Sequence, residues 1–355
     1  MLANTHAELI ASMRLTLAIW LLSRAVIIAA FLTASNHPLV SAGNWDGAWY
    51  GAIATHGYGY AHRGTQRDTA FFPLYPLIAS LVMRLGMGWP LAGLVVNNAA
   101  FLGAIIVLCR IARERWNAAT ARWCVAVTCA CPLSLFGSVA YREGLYLLLS
   151  ALALWCALRS QRMRAALAAA GASATAIAGV ALAAAFVIES LVKRRGFRAA
   201  AVAALAFAGV GAYVVFCWYR FGDPLAPLHA QHGWRSTGFD WPAWARVFRS
   251  LVSIDGFRQN VMVVILAPLG AVAVIVQRKA LGLLMTLYAL LALAILAFAG
   301  EPISADRYAF GIIPILIAYG RALQRVPIAG IGAIAASLAL LAYDAVQFAR
   351  FHWVA

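Results

Sequence analysis

Charge is scarce in this chain. Only 11% of its 355 residues are Asp, Glu, Lys or Arg, against roughly 25% in a soluble domain, which excludes an ordinary soluble fold. Acids are scarcer still, 12 against 28 Lys and Arg, for a net charge of +16. No linker rich in Pro, Gly or Ser divides the chain and no segment repeats at a fixed period, so residues 1–355 read as one domain. No C-x-x-C pair is present. Cys109, Cys124, Cys129, Cys131, Cys156 and Cys217 all fall in or beside apolar runs, and the closest two are separated by Ala130 alone. They read as buried packing residues, without a disulfide or a zinc site.

What fills the chain instead is apolar. Hydrophobic residues make up 64% of it, the mean hydropathy is +0.82, and stretches of about 20 apolar residues recur throughout. The expectation is an all-α polytopic membrane protein. No small-residue cleavage site follows the first apolar run, which reads as a retained span rather than a signal peptide. In a soluble protein the positive charge would suggest nucleic acid. In a membrane protein it collects in cytoplasmic loops and orients the helices, so no nucleic-acid partner is expected.

Spans are expected over residues 15–32, 91–109, 123–139, 145–158, 199–219, a segment ending at 276, 281–299, a segment ending at Arg321, and 328–345. The stretch 165–192 is too long for one untilted helix. Its small-residue centre GASATAIAG suggests a hairpin of two short helices or a broken helix. With that stretch taken as two, hydropathy and loop charge give about 11 transmembrane helices. Basic clusters at 110–122, 159–164, 193–198, 278–279 and 321–325 mark the cytoplasmic side. The loops 44–76, 141–143, 220–259 and 300–307 mark the other and hold eight of the 12 acids. Arg24, inside the first span, must snorkel or face the bundle.

The first long loop, NWDGAWYGAIATHGYGYAHRGTQRDTAFFPLYP, carries Asp46 and Asp68 among dense aromatics. Trp45, Trp49 and Ile53 recur at i, i+4, i+8, with Asp46 and Tyr50 on the adjoining face. That pattern predicts a short interfacial helix, tryptophans toward lipid and Asp46 toward protein, ended by Gly57 and Gly59. A second membrane-associated helix is expected over 71–86, opened by Pro73 and Pro76. The loop lies on the non-cytoplasmic side if 71–86 does not cross.

Acids and arginines gathered on one membrane face suit sugar transfer from a lipid phosphate. A carboxylate takes the acceptor's proton, a cation stabilises the departing phosphate, and aromatics stack on sugar. Asp46, with Asp68 in the same loop, Arg307 or Arg235 across the rim, and Trp45, Tyr50 and Tyr75 match those parts. Arg142 and Arg307, beside Glu143 and Asp306, are either partners in structural ion pairs or ligands for an anion. Composition alone does not separate this arrangement from a transporter vestibule. Few ionisable residues fall in mid-span, however, as a transporter would require. His229 and His232 with Asp223 form too sparse a set to predict a metal.

The run WDGAWYGAIATHGY followed by TAFFPLYPLI resembles the first-loop motif of the PIG-V-like mannosyltransferases, of pattern roughly WDSxWYxxIAxxGY…AFFPLYP. VNNAAF, PLSLFGSVAYREGLYLLLS, FGDPLAPLHAQ and SADRYAFGIIPI resemble later motifs of that family, in the same order. Gly47 and Gly144 stand where the family pattern has Ser, and Thr175 is followed by Ala176 rather than Arg. The resemblance implies a GT-C fold and the activity of a hexosyltransferase, with mannose as the sugar. It assigns the general base to Asp46 and makes Glu143, Asp223, Gln231, Arg307 and Tyr308 candidate site residues. It implies inversion in a single displacement, no metal and no cofactor. The donor would be a polyprenyl-phosphate sugar, and the acceptor a glycan, glycolipid or protein on the non-cytoplasmic face of a bacterial inner membrane or its equivalent. The alternative is a lipid or solute transporter or a catalytically degenerate scaffold subunit.

Overall fold

In the computed structural model, which describes residues 2–59, 62–63, 66–234, 238–298 and 304–354, the chain is almost entirely helical. Its strands are a two-residue hairpin pairing His62 with Arg67 and Arg63 with Gln66. Among the described residues, five helices are long and apolar enough to cross a membrane, one of them α1 (Leu2–Ala34, its apolar window beginning at Ser12). The protein is an integral membrane protein. The short α2 (Asp46–His56) and α3 (Leu74–Met83) precede the second long helix, α4 (Leu91–Arg115). Next come α5 (Ala118–Ala130), α6 (Glu143–Leu158), α7 (Arg162–Ser173) and α8 (Ala178–Val192). The remaining long helices are α9 (Phe197–Phe221), α11 (Gly256–Val276) and α15 (Pro327–Ala349). Between them lie α10 (Trp241–Ser250), α12 (Leu283–Ala297), α13 (Ala305–Phe310) and α14 (Ile313–Leu323).

Helix α3, at 10 residues, rises about 15 Å, half of a roughly 30 Å hydrocarbon core. It packs between α2 and α4. The stretch at 165–192, expected as a hairpin of two short helices or a broken helix, is a hairpin: α7 and α8 pack on each other across the break at 174–177. That break faces inward, where the Ala174 carbonyl accepts from Leu74 N at 3.1 Å and the Thr175 carbonyl from Arg142 Nη1 at 3.0 Å. The basic helix ends meet one another. Arg159 pairs with Glu114 at 2.8 Å, Arg115 Nε donates to the Ala280 carbonyl at 2.9 Å, and Arg321 Nη1 donates to Gln277 Oε1 at 2.8 Å. All six cysteines are free and buried.

One expected span is interrupted. The apolar run 123–139 ceases to be an α-helix at Ala130, because Pro132 supplies no N–H to continue the ladder. A 3₁₀ segment (Pro132–Gly137) and irregular backbone carry the chain to α6. Irregular backbone at this depth survives only where protein satisfies it. Arg24, 4% exposed, faces the bundle: its Nη1 donates to the Ser134 carbonyl at 2.9 Å and to Ser138 Oγ at 2.6 Å, and its Nη2 to Ser134 Oγ at 2.9 Å. Asn97 Nδ2 donates to the Phe136 and Val139 carbonyls, each at 2.7 Å, while its Oδ1 accepts from Gly144 N at 2.7 Å. Asn98 Nδ2 reaches the Ser138 carbonyl at 2.9 Å.

The approach of α6 to α4 needs a glycine. A Cβ on Gly144 would lie 2.3 Å from the Asn97 carbonyl oxygen, whereas one on Gly47 would meet its nearest neighbour, the Ala140 carbonyl oxygen, at 3.5 Å, an ordinary contact. Gly144→Ala is therefore expected to cost about 1–3 kcal/mol of stability and Gly47→Ala less than about 0.5 kcal/mol. Unfolding of the two variants in detergent checks this; equal stabilities would contradict the close approach.

Candidate active site

The site begins at a bend. Trp45, just before α2, has φ +57° and ψ −119°, a conformation that costs a non-glycine residue about 1–3 kcal/mol unless its surroundings enforce it. Here they do. The Tyr141 hydroxyl accepts from Asp46 N at 3.0 Å and donates to the Asn44 carbonyl at 3.1 Å, and Asn44 Nδ2 donates to the Phe348 carbonyl at 3.1 Å. The Asp46 side chain thereby points at α13, whose own preceding residue, Ser304, also has a positive φ of +59°.

From α13 comes Arg307, 3% exposed. Its Nη2 lies 2.6 Å from Asp46 Oδ2, and its Nε lies 3.2 Å from Glu143 Oε1. Three rings surround the guanidinium, those of Phe136, Tyr141 and Tyr308, at 5.2–5.4 Å. A buried cation needs such partners, since desolvation costs several kcal/mol per ion. Nη1 is buried with no hydrogen-bond partner among the described residues, as is Glu143 Oε2, and Nε meets Glu143 as an ion pair without hydrogen-bond geometry. Arg142 lies 3.9 Å from Glu143 by its Nε and over the Tyr308 ring at 5.3 Å. Asp306 takes no part in this cluster. It sits near Val263 N and Asp344, and burial pushes its carboxyl up to about 8.

Two cavities meet here. One, of about 450 Å³, is polar and aromatic, lined by Trp45, Asp46, Trp49, Tyr50, Gln66, Phe71, Trp234, Ser304, Arg307 and Trp353. The other, of about 480 Å³, is an apolar groove lined by Phe72, Ile177, Val210, Tyr213, Val214, Leu228, Ile295, Leu296 and Phe298. Ala70, Arg142, Gln231 and Tyr308 line both, so the junction carries an arginine, an amide and a phenol.

Of the residues singled out in the sequence, Trp45, Asp46, Tyr50, Arg142, Gln231, Arg307 and Tyr308 line the polar cavity, with Glu143 buried behind Arg307. Three lie elsewhere. Asp68 is 2% exposed and accepts from Gly59 N at 2.8 Å, anchoring the loop after α2. Tyr75 is fully buried behind Tyr50, edge-on to it at 5.0 Å. Asp223 sits on the loop after α9, accepting from Leu225 N at 2.9 Å and pairing with His229 Nδ1 at 2.8 Å; that contact holds its carboxyl below the usual range. Arg235 lies outside the described residues. No cluster of three metal-type ligands occurs among the described residues.

The α2 tryptophans correct one expectation. Trp49 and Ile53, each 6% exposed, face protein rather than lipid. Trp49 stacks on Phe71 at 5.6 Å and meets Trp234 edge-on at 5.4 Å. Helical period identifies a shared face but not what covers it: one covering ring comes from the far end of the same loop and the other from the loop after α9. Tyr141, Ser304, Trp234 and Trp353 also escaped the sequence reading. Tyr141 alone had a signal, its place beside Arg142 and Glu143.

Comparison with known proteins bears on the fold and the family. The solved structure of ArnT from Cupriavidus metallidurans, bound to undecaprenyl phosphate, superposes with a TM-score of 0.58 at 16% sequence identity. The match covers 90% of this chain and 63% of that one, so the chain spans under two thirds of ArnT's length. At that identity the likeness establishes the fold, which is of GT-C type. No curated protein sequence matches. The family model described as mannosyltransferase (PIG-V) matches residues 2–202, more than half of the 355 residues, and the chain belongs to the PIG-V mannosyltransferase family.

Proposed function

We propose that the protein transfers a hexose, mannose by its family, from a polyprenyl-phosphate donor to an acceptor hydroxyl on the non-cytoplasmic face of the membrane. The observation that carries this reading is Arg307, held between Asp46 and Glu143 with Nη1 unpartnered, at a polar cavity that abuts an apolar groove. The groove would take the prenyl chain. The phosphate would lie at the junction, between Arg142 and Arg307, and the sugar in the polar cavity. ArnT's bound undecaprenyl phosphate supports a donor of that class. Sidedness follows from the basic helix ends, which the positive-inside rule puts in the cytoplasm. On this reading the shorter helices α5–α8, α12 and α14 join the five long ones in the membrane, for 11 spans.

The step is a single displacement. The acceptor oxygen attacks the anomeric carbon as its proton passes to Asp46. The bond from that carbon to the phosphate oxygen breaks, and its electron pair leaves on the phosphate, inverting the anomeric configuration. Arg307 and Arg142 face the charge that develops there. Arriving phosphate competes with Asp46 for Arg307 and loosens the carboxylate toward the acceptor.

Two variants test this. Asp46→Asn should lower transfer from labelled polyprenyl-phosphate mannose by about 10²–10⁴-fold while donor still binds; transfer near the wild-type rate would remove the central role of Asp46. Val214→Trp should crowd the groove and raise KM for a long-chain donor about tenfold, the worth of some two buried methylenes, with little effect on a ten-carbon prenyl donor. An equal effect on both donors would place the chain elsewhere.

A further inference from the structure

The α7–α8 hairpin turns beside the candidate site, where the Thr175 carbonyl holds Arg142. Its open end lies about 18 Å away, the rise of the 12-residue α7. Between the two helix ends, and closed by the start of α9, is a small cleft of about 50 Å³ lined by Ser160, Arg162, Phe186, Glu189, Ser190 and Arg195. Glu189, 6% exposed, is already neutralised there: Lys193 Nζ lies 2.5 Å from its Oε1 and Arg195 Nη1 lies 3.2 Å from its Oε2. Arg162, exposed, forms no ion pair among the described residues. Three cations against one carboxylate leave the cleft with two positive charges in excess.

A second observation points the same way. Ser190 is 4% exposed, and its Oγ is buried with no hydrogen-bond partner among the described residues, a state rare for a buried hydroxyl. The first turn of α7 borders the cleft too. Its N-cap, Gln161, makes no side-chain bond to that turn, and free N–H groups at a helix start favour an anion. Size narrows the choice. One water needs roughly 10–15 Å³, so the cleft admits a group of a few heavy atoms, such as a phosphate, and not a nucleotide or a peptide. Around it Leu158, Leu191, Val192 and Phe197 are exposed at the ends of the helices. They offer an apolar surface that a lipid's chains would cover and a soluble phosphate would leave bare. Basic pockets between helices on the cytoplasmic side select anionic headgroups.

We propose that this cleft binds the phosphate of an anionic phospholipid of the cytoplasmic leaflet, held by Arg162, Arg195 and the Ser190 hydroxyl, with acyl chains along Leu191 and Phe197. This uses the sidedness given by the basic helix ends but not the transferase reading. Bound there, the lipid ties the turn between α6 and α7 to the turn between α8 and α9. It thereby fixes the open end of the hairpin whose closed end holds Arg142.

Native mass spectrometry of the full chain in detergent, titrated with dioleoyl phosphatidylglycerol, reads the affinity for the first bound lipid. Wild type should hold it about tenfold more tightly than dioleoyl phosphatidylcholine, which carries no net charge. Arg162→Gln should weaken phosphatidylglycerol binding about fivefold, the worth of one arginine beside an anionic headgroup. Ser190→Ala should weaken it by a similar factor, through one lost hydrogen bond to a charged group. Both changes leave the Glu189 ion pairs in place, and the two variants are independent, so one that failed to fold would leave the other decisive. Arg198→Gln removes the same charge from the same basic cluster but does not line the cleft, and it should leave the affinity within about twofold, because solvent and salt screen an exposed charge. Equal losses from Arg162→Gln and Arg198→Gln, or equal retention of the two lipids, would mean diffuse surface charge and overturn the site. Release of the lipid by inorganic phosphate, with phosphate binding lost in Arg162→Gln, would overturn the lipid assignment in favour of a soluble anion.

Discussion

A stretch of irregular backbone buried in a membrane bundle must have its carbonyls answered, and in this protein the answer organises the site. Residues 131–142 leave the helix at Ala130, and Arg24, Asn97 and Asn98 donate to four of the exposed carbonyls: those of Ser134, Phe136, Ser138 and Val139. Each such group left unsatisfied would cost about 1–3 kcal/mol. Because the three donors sit on α1 and α4, the segment has one place to lie. Its end delivers Tyr141, Arg142 and Glu143 to the mouth of the bundle. A continuous helix through 139 would have needed no buried arginine, but it would have left α2 and α13 without the residues that position Asp46 and Arg307.

On that frame the charges are arranged in a chain. Asp46, Arg307, Glu143 and Arg142 alternate in sign; Arg307 lines the polar cavity, and Arg142 lies at its junction with the apolar groove. The strain falls beside these charges, with Trp45 before Asp46 and Ser304 three residues before Arg307, both at positive φ. Buried ion pairs contribute little to stability, since desolvation offsets most of the attraction. Their value here is geometric: a guanidinium divided between two carboxylates keeps one nitrogen uncommitted in a low-dielectric setting, where an added anion is felt strongly.

Much of this was legible before any coordinates. The helical membrane class follows from hydropathy, because the bilayer demands long apolar helices. The aromatic loop with Asp46 also stood out, since a polar stretch is conspicuous in so apolar a chain. What periodicity could not reveal was coverage. Trp49 reads as lipid-facing until Phe71 and Trp234 arrive from elsewhere. Arg24 reads as a misfit until the carbonyls it serves are known. The break at Pro132 hid within an apolar run, because irregular and helical membrane segments share a composition. Asp68 and Asp223 show the opposite failure, acids in the right loops whose oxygens are occupied by local backbone N–H groups. Trp353 lay beyond the last span, where nothing in the pattern points back to Asp46.

The central claim, that Asp46 and Arg307 divide base and phosphate roles at the junction of the two cavities, is tested most directly by a structure with a non-hydrolysable polyprenyl-phosphonate mannose bound. The account predicts phosphonate oxygens within hydrogen-bond reach of Arg307 Nη1 and Arg142, the prenyl chain along Tyr213, Val214 and Phe298, and the Asp46 carboxylate facing the anomeric carbon from the side opposite the phosphonate. A phosphonate bound away from Arg307, or an Asp46 carboxylate on the leaving-group side of the sugar, would contradict it.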